Sequence, residues 1–215
     1  MQEQLDYIHA WLQQHAPQTR EVLNPPARAA EIVAVERATG QILPESLKQF
    51  LAVHDGENGI SNDAFWGDFN TMLSCQGIIE QYVLDQEIGQ KLYDPEMETM
   101  RRWREQVSKK IIFISGAVKP LTLHPKWIPI TNMNGDVMRY LDFDPASGGV
   151  AGQVIEVDPE NCCYRVLAAS FEALIQQYRR DLEAGKYTVD EEGYLESAFD
   201  QDVLSWGMPV WLAPG

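Results

Sequence analysis

Apolar residues recur at helical spacing through the first hundred positions of this chain, then shift to the two-residue rhythm of strands. Leu5, Ile8, Trp11 and Leu12 share one face of a helix over 2–16, which Pro17 ends. Asn24 as an N-cap, with Pro25 in the first turn, predicts a second helix carrying Ala29, Ile32 and Val33 and stopping near Gly40. A third runs from Pro44 to about His54 with Leu47, Phe50 and Leu51 inward, and Asp55-Gly56 and Asn58-Gly59 break it. Residues 64–73, with Phe65, Trp66, Phe69 and Met72, read as a short extended segment. After Ser74 comes a helix using Ile78, Ile79, Tyr82 and Val83, and over 96–108 another with Met97, Met100, Trp103 and Val107 on one side.

Beyond Lys110 the pattern is that of strands. Ile111 to Ile114 is a short apolar run. Trp127 to Ile130, the turn at Asn134-Gly135, Leu141 to Phe143, the glycines at 148, 149 and 152, and Val154-Ile155 spell a meander with sharp reversals. Cys162 to Leu167 is a further strand. The last clear helix follows Ser170, places Phe171, Leu174, Ile175, Tyr178 and Leu182 inward, and closes at Gly185. Tyr187-Thr188-Val189 reads as an edge strand, and the Trp206 to Trp211 end as packing back on the body. Helices, then consecutive strands, then a helix predict an α+β fold: a mainly antiparallel (mixed) sheet with helices packed against it. There is no βαβ alternation, internal repeat or low-complexity linker, so 1–215 reads as a single domain.

At 215 residues and 45% hydrophobic composition the chain can bury one sizeable core and is not a disordered chain. No apolar run reaches the roughly 20 residues that cross a bilayer. Met1-Gln2-Glu3-Gln4 lacks the basic and apolar regions of a secretory signal, so cytoplasmic residence is the expectation. Net charge is −15, which argues against nucleic acid and anionic membranes as partners; it permits attraction to a basic protein and equally serves simple solubility. The charge is uneven: residues 54–98 hold ten acidic side chains and one basic, 101–126 seven basic and one acidic, and 181–202 eight acidic and one basic.

Catalytic and metal-binding patterns are missing from the sequence. The histidines at 9, 15, 54 and 124 make no HExxH pair, and with Cys75, Cys162 and Cys163 they give no zinc spacing. Cys162 and Cys163, adjacent in a strand, should point to opposite faces. His54 reads as a cation favoured at a helix C-terminus, with Asp55 starting the turn after it. Asp142-Phe143-Asp144 fails the calcium-loop pattern at Ala146, Ser147 and Gln153. Gly148-Gly149-Val150-Ala151-Gly152 lacks a dinucleotide fingerprint. No cofactor or metal is expected, and no enzyme activity.

Leu43-Pro44-Glu45-Ser46-Leu47-Lys48-Gln49-Phe50-Leu51, followed by Asp55-Gly56-Glu57-Asn58-Gly59, resembles the opening signature of the yeast cell-wall assembly regulator (Smi/Knr) family of the SUKH superfamily. Trp127-Ile128-Pro129-Ile130 with Asn134-Gly135-Asp136 is similar to its second signature. Leu141-Asp142-Phe143-Asp144-Pro145 with Gly149 and Gly152-Gln153-Val154-Ile155 is similar to its third, and Ala169-Ser170-Phe171 completes the order. The likeness covers about residues 26–180. The N-terminal helix 1–20, the stretch from Tyr93 to Leu123 and the C-terminal extension 186–215 depart from it.

The resemblance implies a SUKH-like fold and a non-enzymatic role. Many bacterial members resemble immunity proteins that neutralise a toxin, often a nuclease or deaminase; fungal relatives are cell-wall regulators. The expectation is therefore an immunity protein that occludes a basic toxin domain, with a regulatory scaffold binding endogenous partners as the alternative. Candidate contacts are Asp55, Glu57, Asp63, Trp66 and Asp68 in the first acidic loop, and Asp136, Asp142 and Asp144 in the meander. The same acids serve equally well as turn formers and caps.

Overall fold

Prolines and caps decide where the helices start. Pro17 cannot continue helix α1 (Gln2–His15), and its fixed φ opens the short helix α2 (Pro17–Glu21). Pro25 and Pro26 disfavour helical backbone at the residue before each, so helix α3 spans Ala29–Thr39 and does not begin at Asn24. Asn24 instead ties two loops, its amide donating to the Asp55 carbonyl at 2.8 Å. Helix α4 is Glu45–Leu51. Helix α5 (Cys75–Leu92) is capped by Ser74, whose Oγ accepts from the Gly77 N–H at 3.1 Å. Helix α6 (Phe171–Glu183) is capped in the same way by Ser170, worth about 1 kcal/mol.

The computed structural model describes residues 1–58, 65–68, 70–94, 96, 113–133, 135–159 and 163–197. The helix expected over 96–108, the start of the run at Ile111, Cys162, and the Trp206 to Trp211 end lie outside the described residues. Within 64–73, residues 65–68 form a turn and only Thr71–Met72 (β1) is a strand.

Strands β2 (Phe113–Ser115), β3 (Trp127–Pro129), β5 (Met138–Asp142), β6 (Gln153–Asp158) and β7 (Cys163–Ala168) make a five-stranded sheet in the order β2-β7-β6-β5-β3. All its pairings are antiparallel except β2 with β7. Strand β4 (Thr131–Asn132) pairs with β1. Tyr187–Val189 (β8) pairs with Leu195–Ser197 (β9) in a separate hairpin, not on the edge of the main sheet.

Alternation along the strands gives the sheet two apolar faces. Ile128, Ile130, Leu141 and Val154 join the helices in the large core. Trp127, Met138, Tyr140, Ile155, Val157 and Tyr164 form a second, smaller cluster. Phe50 sits inside the first, with ring centroids 5.6 Å from Phe65 and 5.7 Å from Phe171. Helix α6 adds Ile175, Tyr178 and Leu182, all buried, each worth about 1.5–3 kcal/mol when fully removed from water. Val33 and Val83, expected inward, are 50% and 47% exposed, because their helices bury other faces.

His54 is not a charged helix end. Its Nδ1 lies 2.9 Å from the Asn24 carbonyl and its Nε2 2.9 Å from His9 Nε2. A carbonyl accepts only, so His54 Nδ1 carries the proton and His54 Nε2 accepts from the His9 N–H. Burial lowers both pKa values, that of His9 to about 4. Below the ordinary value of 6.5 the unfolded chain takes up these protons first, so stability is full above that pH and falls towards pH 4. Urea midpoints should drop over that window, and His9→Leu should flatten the slope by about 1.4 kcal/mol per pH unit. Phe50→Ala should cost about 3–5 kcal/mol in the same assay.

Candidate functional site

The sequence-derived candidates fall into different environments. Glu57 is buried: its Oε1 accepts from the Phe65 N–H at 2.7 Å and its Oε2 from the Met72 N–H at 2.5 Å. Burial pushes its pKa up to about 8 against those donors. Trp66, 5% exposed, packs edge-on to Phe65. Asp142 is fully buried, accepting from Gln153 Nε2 at 3.0 Å and the Asp144 N–H at 2.9 Å. These three are buried, whereas the sequence places them among contacts on an acidic loop and meander. Asp63 lies outside the described residues. Asp55 Oδ1 accepts from the Cys75 N–H at 2.6 Å, helping to start α5. Asp144 meets Lys119 Nζ at 2.6 Å and His124 Nε2 at 3.2 Å. Asp136 is exposed at the turn between β4 and β5, beside Gly135 with φ 83°.

The structure does bring Trp66 and Asp68 together, on a residue that is not among the sequence-derived candidates. Arg139 in β5 is 8% exposed. Its Nη2 pairs with Asp68, and its Nε donates to Glu156 Oε2 at 3.1 Å. Arg165 Nε donates to the other Glu156 oxygen at 2.7 Å. Register explains the row, since Arg139 lies opposite Glu156 and Glu156 opposite Arg165. The Trp66 ring lies 5.6 Å from the Arg139 guanidinium. Burial opposes the charge on Arg139, and Asp68 and Glu156 overcome it, so its pKa rises. The sequence signal was faint: Arg139, Glu156 and Arg165 each interrupt an apolar strand, and only pairing shows that they meet.

On the opposite face of the sheet a cleft of about 500 Å³ opens between α5 and the sheet. Gln81, Leu84, Asp85 and Ile88 form one wall, and Met138, Tyr140 and Val157 line the sheet side. Gln81 Nε2 donates to Asp85 Oδ1 at 2.7 Å, and Asn132 Nδ2 donates to Gln81 Oε1 at 2.9 Å. Burial raises the Asp85 pKa to about 6. Among the described residues no group of three or more His, Cys, Asp or Glu could hold a metal ion, and no helix is long and apolar enough to cross a membrane.

The profile of the SMI1 / KNR4 family (SUKH-1) matches residues 26–177, which takes in α3 through most of α6 and therefore the whole main sheet, the charged row and the cleft. This chain belongs to the SMI1/KNR4 family. Among its relatives, the glucan synthesis regulatory protein of Neurospora crassa is 21% identical over 86% of this chain and 39% of its own length. The cell wall biosynthesis/cell cycle regulator smi1 of Schizosaccharomyces pombe is 27% identical over 77% of this chain and 33% of its own. The cell wall assembly regulator SMI1 of Saccharomyces cerevisiae is 21% identical over 86% and 41%. The chain thus spans about two-fifths or less of the length of these curated relatives.

Removing one member of a buried charged row strands the rest, at about 3–5 kcal/mol. Arg139→Ala should therefore lower the urea midpoint far more than Lys119→Ala, whose partner Asp144 is open to water and which should leave the midpoint unchanged. Glu57 contributes with the opposite pH sign to the histidines. Its raised pKa gives stability below pH 4.5 that is lost as pH rises through about 8. Glu57→Gln should show a stability gap from wild type that shifts in the variant's favour between pH 5 and 9.

Proposed function

We propose that this chain is a non-catalytic, protein-binding module that regulates its partners by stoichiometric association. The observation that carries the reading is the family match over residues 26–177. Relatives named as regulators of the cell wall and glucan synthesis support the regulatory form of it. On this reading the chain acts by touch, through a surface held rigid by its sheet, and Asp136 and Asp144 are the sequence-derived candidates with faces open to a partner.

A second reading, an immunity protein occluding a basic toxin domain such as a nuclease, is favoured by the net charge of −15. Such a charge would speed encounter with a basic surface and make association salt-sensitive. Cytoplasmic residence goes with either reading.

The test is co-purification from the source organism, followed by reconstitution from two purified proteins. A saturable one-to-one complex is expected. A partner that is an intact toxin, with growth rescued only at equimolar dose and binding weakened more than tenfold by 0.5 M salt, would select the immunity form. A cell-wall or signalling partner would select the regulatory form. Turnover of a small molecule by the purified chain, or rescue at catalytic dose, would overturn both.

A further inference from the structure

Asp85 is a buried carboxyl in contact with neutral groups. Its side chain sits in the wall of the cleft at 6% exposure. Oδ1 accepts from Gln81, while Oδ2 has no hydrogen-bond partner. The Tyr140 phenol lies against the same carboxyl. Among the described residues no lysine, arginine or histidine pairs with it. The other buried acids are answered: Glu57 by two backbone N–H groups, Glu156 by two guanidinium groups, Asp142 by an amide and an N–H. Asp85 has a full donor on one oxygen only, with the Tyr140 hydroxyl beside it, and a buried carboxylate held by neutral groups gains from an incoming cation.

The cleft around it is shaped for a cation on an apolar stem. Its volume of about 500 Å³ is ample for a lysine or arginine side chain, and lies in the usual range for binding sites. Leu84 and Ile88, one helical turn apart on α5, are 47% and 44% exposed at its rim. Leu123, Met138 and Val157 supply apolar lining, and no basic residue is among the described lining residues. Gln81 Oε1 accepts from Asn132 and Asn132 Oδ1 from the Gly135 N–H, which leaves Asp85 as the charged group lining the cleft.

We propose that this cleft receives a lysine or arginine side chain from a basic, apolar segment of a partner protein, with Asp85 as its counter-charge and Leu84 and Ile88 gripping the stem. The proposal rests on the protein-binding reading above and deepens it by naming the docking point and the chemistry it recognises. Net charge of −15 would steer such a segment towards the chain.

The full chain, isotopically labelled, would be titrated at pH 7.5 with three probes and followed by NMR: an acetylated, amidated Leu-Lys-Leu peptide, its norleucine analogue without the charge, and spermidine. The lysine peptide should shift the signals of Leu84, Asp85, Ile88 and Leu123 saturably, and bind at least tenfold more tightly than the norleucine peptide. Asp85→Asn, nearly isosteric, should erase that preference while leaving the norleucine peptide unaffected. Leu84→Ser should weaken both peptides. Equal binding of charged and uncharged peptides, shifts elsewhere on the surface, or an unaltered preference in Asp85→Asn would overturn the proposal. Tighter binding of spermidine than of the lysine peptide would assign the cleft to a free polyamine and overturn the partner-protein form. These probes are independent of the reconstituted partner complex, so failure here leaves the stoichiometric reading standing, and the reverse.

Discussion

A guanidinium buried within a sheet has to be neutralised where it stands, and Arg139 imposes that condition on its surroundings. Glu156 answers from the next strand and Arg165 answers Glu156 from the one after. Asp68 answers from a loop distant in sequence. Closing that loop onto Arg139 lays Trp66 over the guanidinium and puts the Phe65 carbonyl where the Tyr178 hydroxyl donates to it at 2.6 Å. Glu57 holds the same loop from behind through the Phe65 and Met72 N–H groups. One buried charge thus binds β5, β6, β7, α6 and the acidic loop into a single arrangement.

The two faces of the sheet are treated differently. One is covered by helices whose apolar stripes make the large core. The other carries a small cluster of aromatic and aliphatic residues and borders the cleft along α5. On the covered face the buried charges of the described residues Glu57, Arg139 and Glu156 have partners, which stabilises the fold. On the second face the Asp85 carboxyl keeps one oxygen without a donor, beside apolar side chains that water reaches. The two faces of one sheet thus differ in how fully their buried charges are partnered among the described residues.

In this member of the SMI1/KNR4 family several acids are employed in the chain's own architecture. Asp55 starts a helix, Asp142 holds a glycine-rich turn, and Asp68 balances Arg139. The formal charge is real, but its distribution, more than its sum, decides what a partner meets.

The sequence by itself determined the α+β class and the type of most described elements. Apolar spacing and the serines at 74 and 170 marked α5 and α6, Pro17 ended α1, and the glycine and asparagine turns marked the meander, because periodicity and caps act over a few residues. It also carried four short family signatures in their order. Tertiary structure alone decided that β2 runs parallel to β7, that Asn24 joins loops and caps no helix, and that Glu57, Trp66 and Asp142 lie inside. Nor could spacing show that Arg139 meets Asp68, that His9 meets His54, or that Asp85 faces a cleft. Those facts depend on which residues distant along the chain share a wall, and burial, which sets the worth of a charge, exists only once the chain has closed around it.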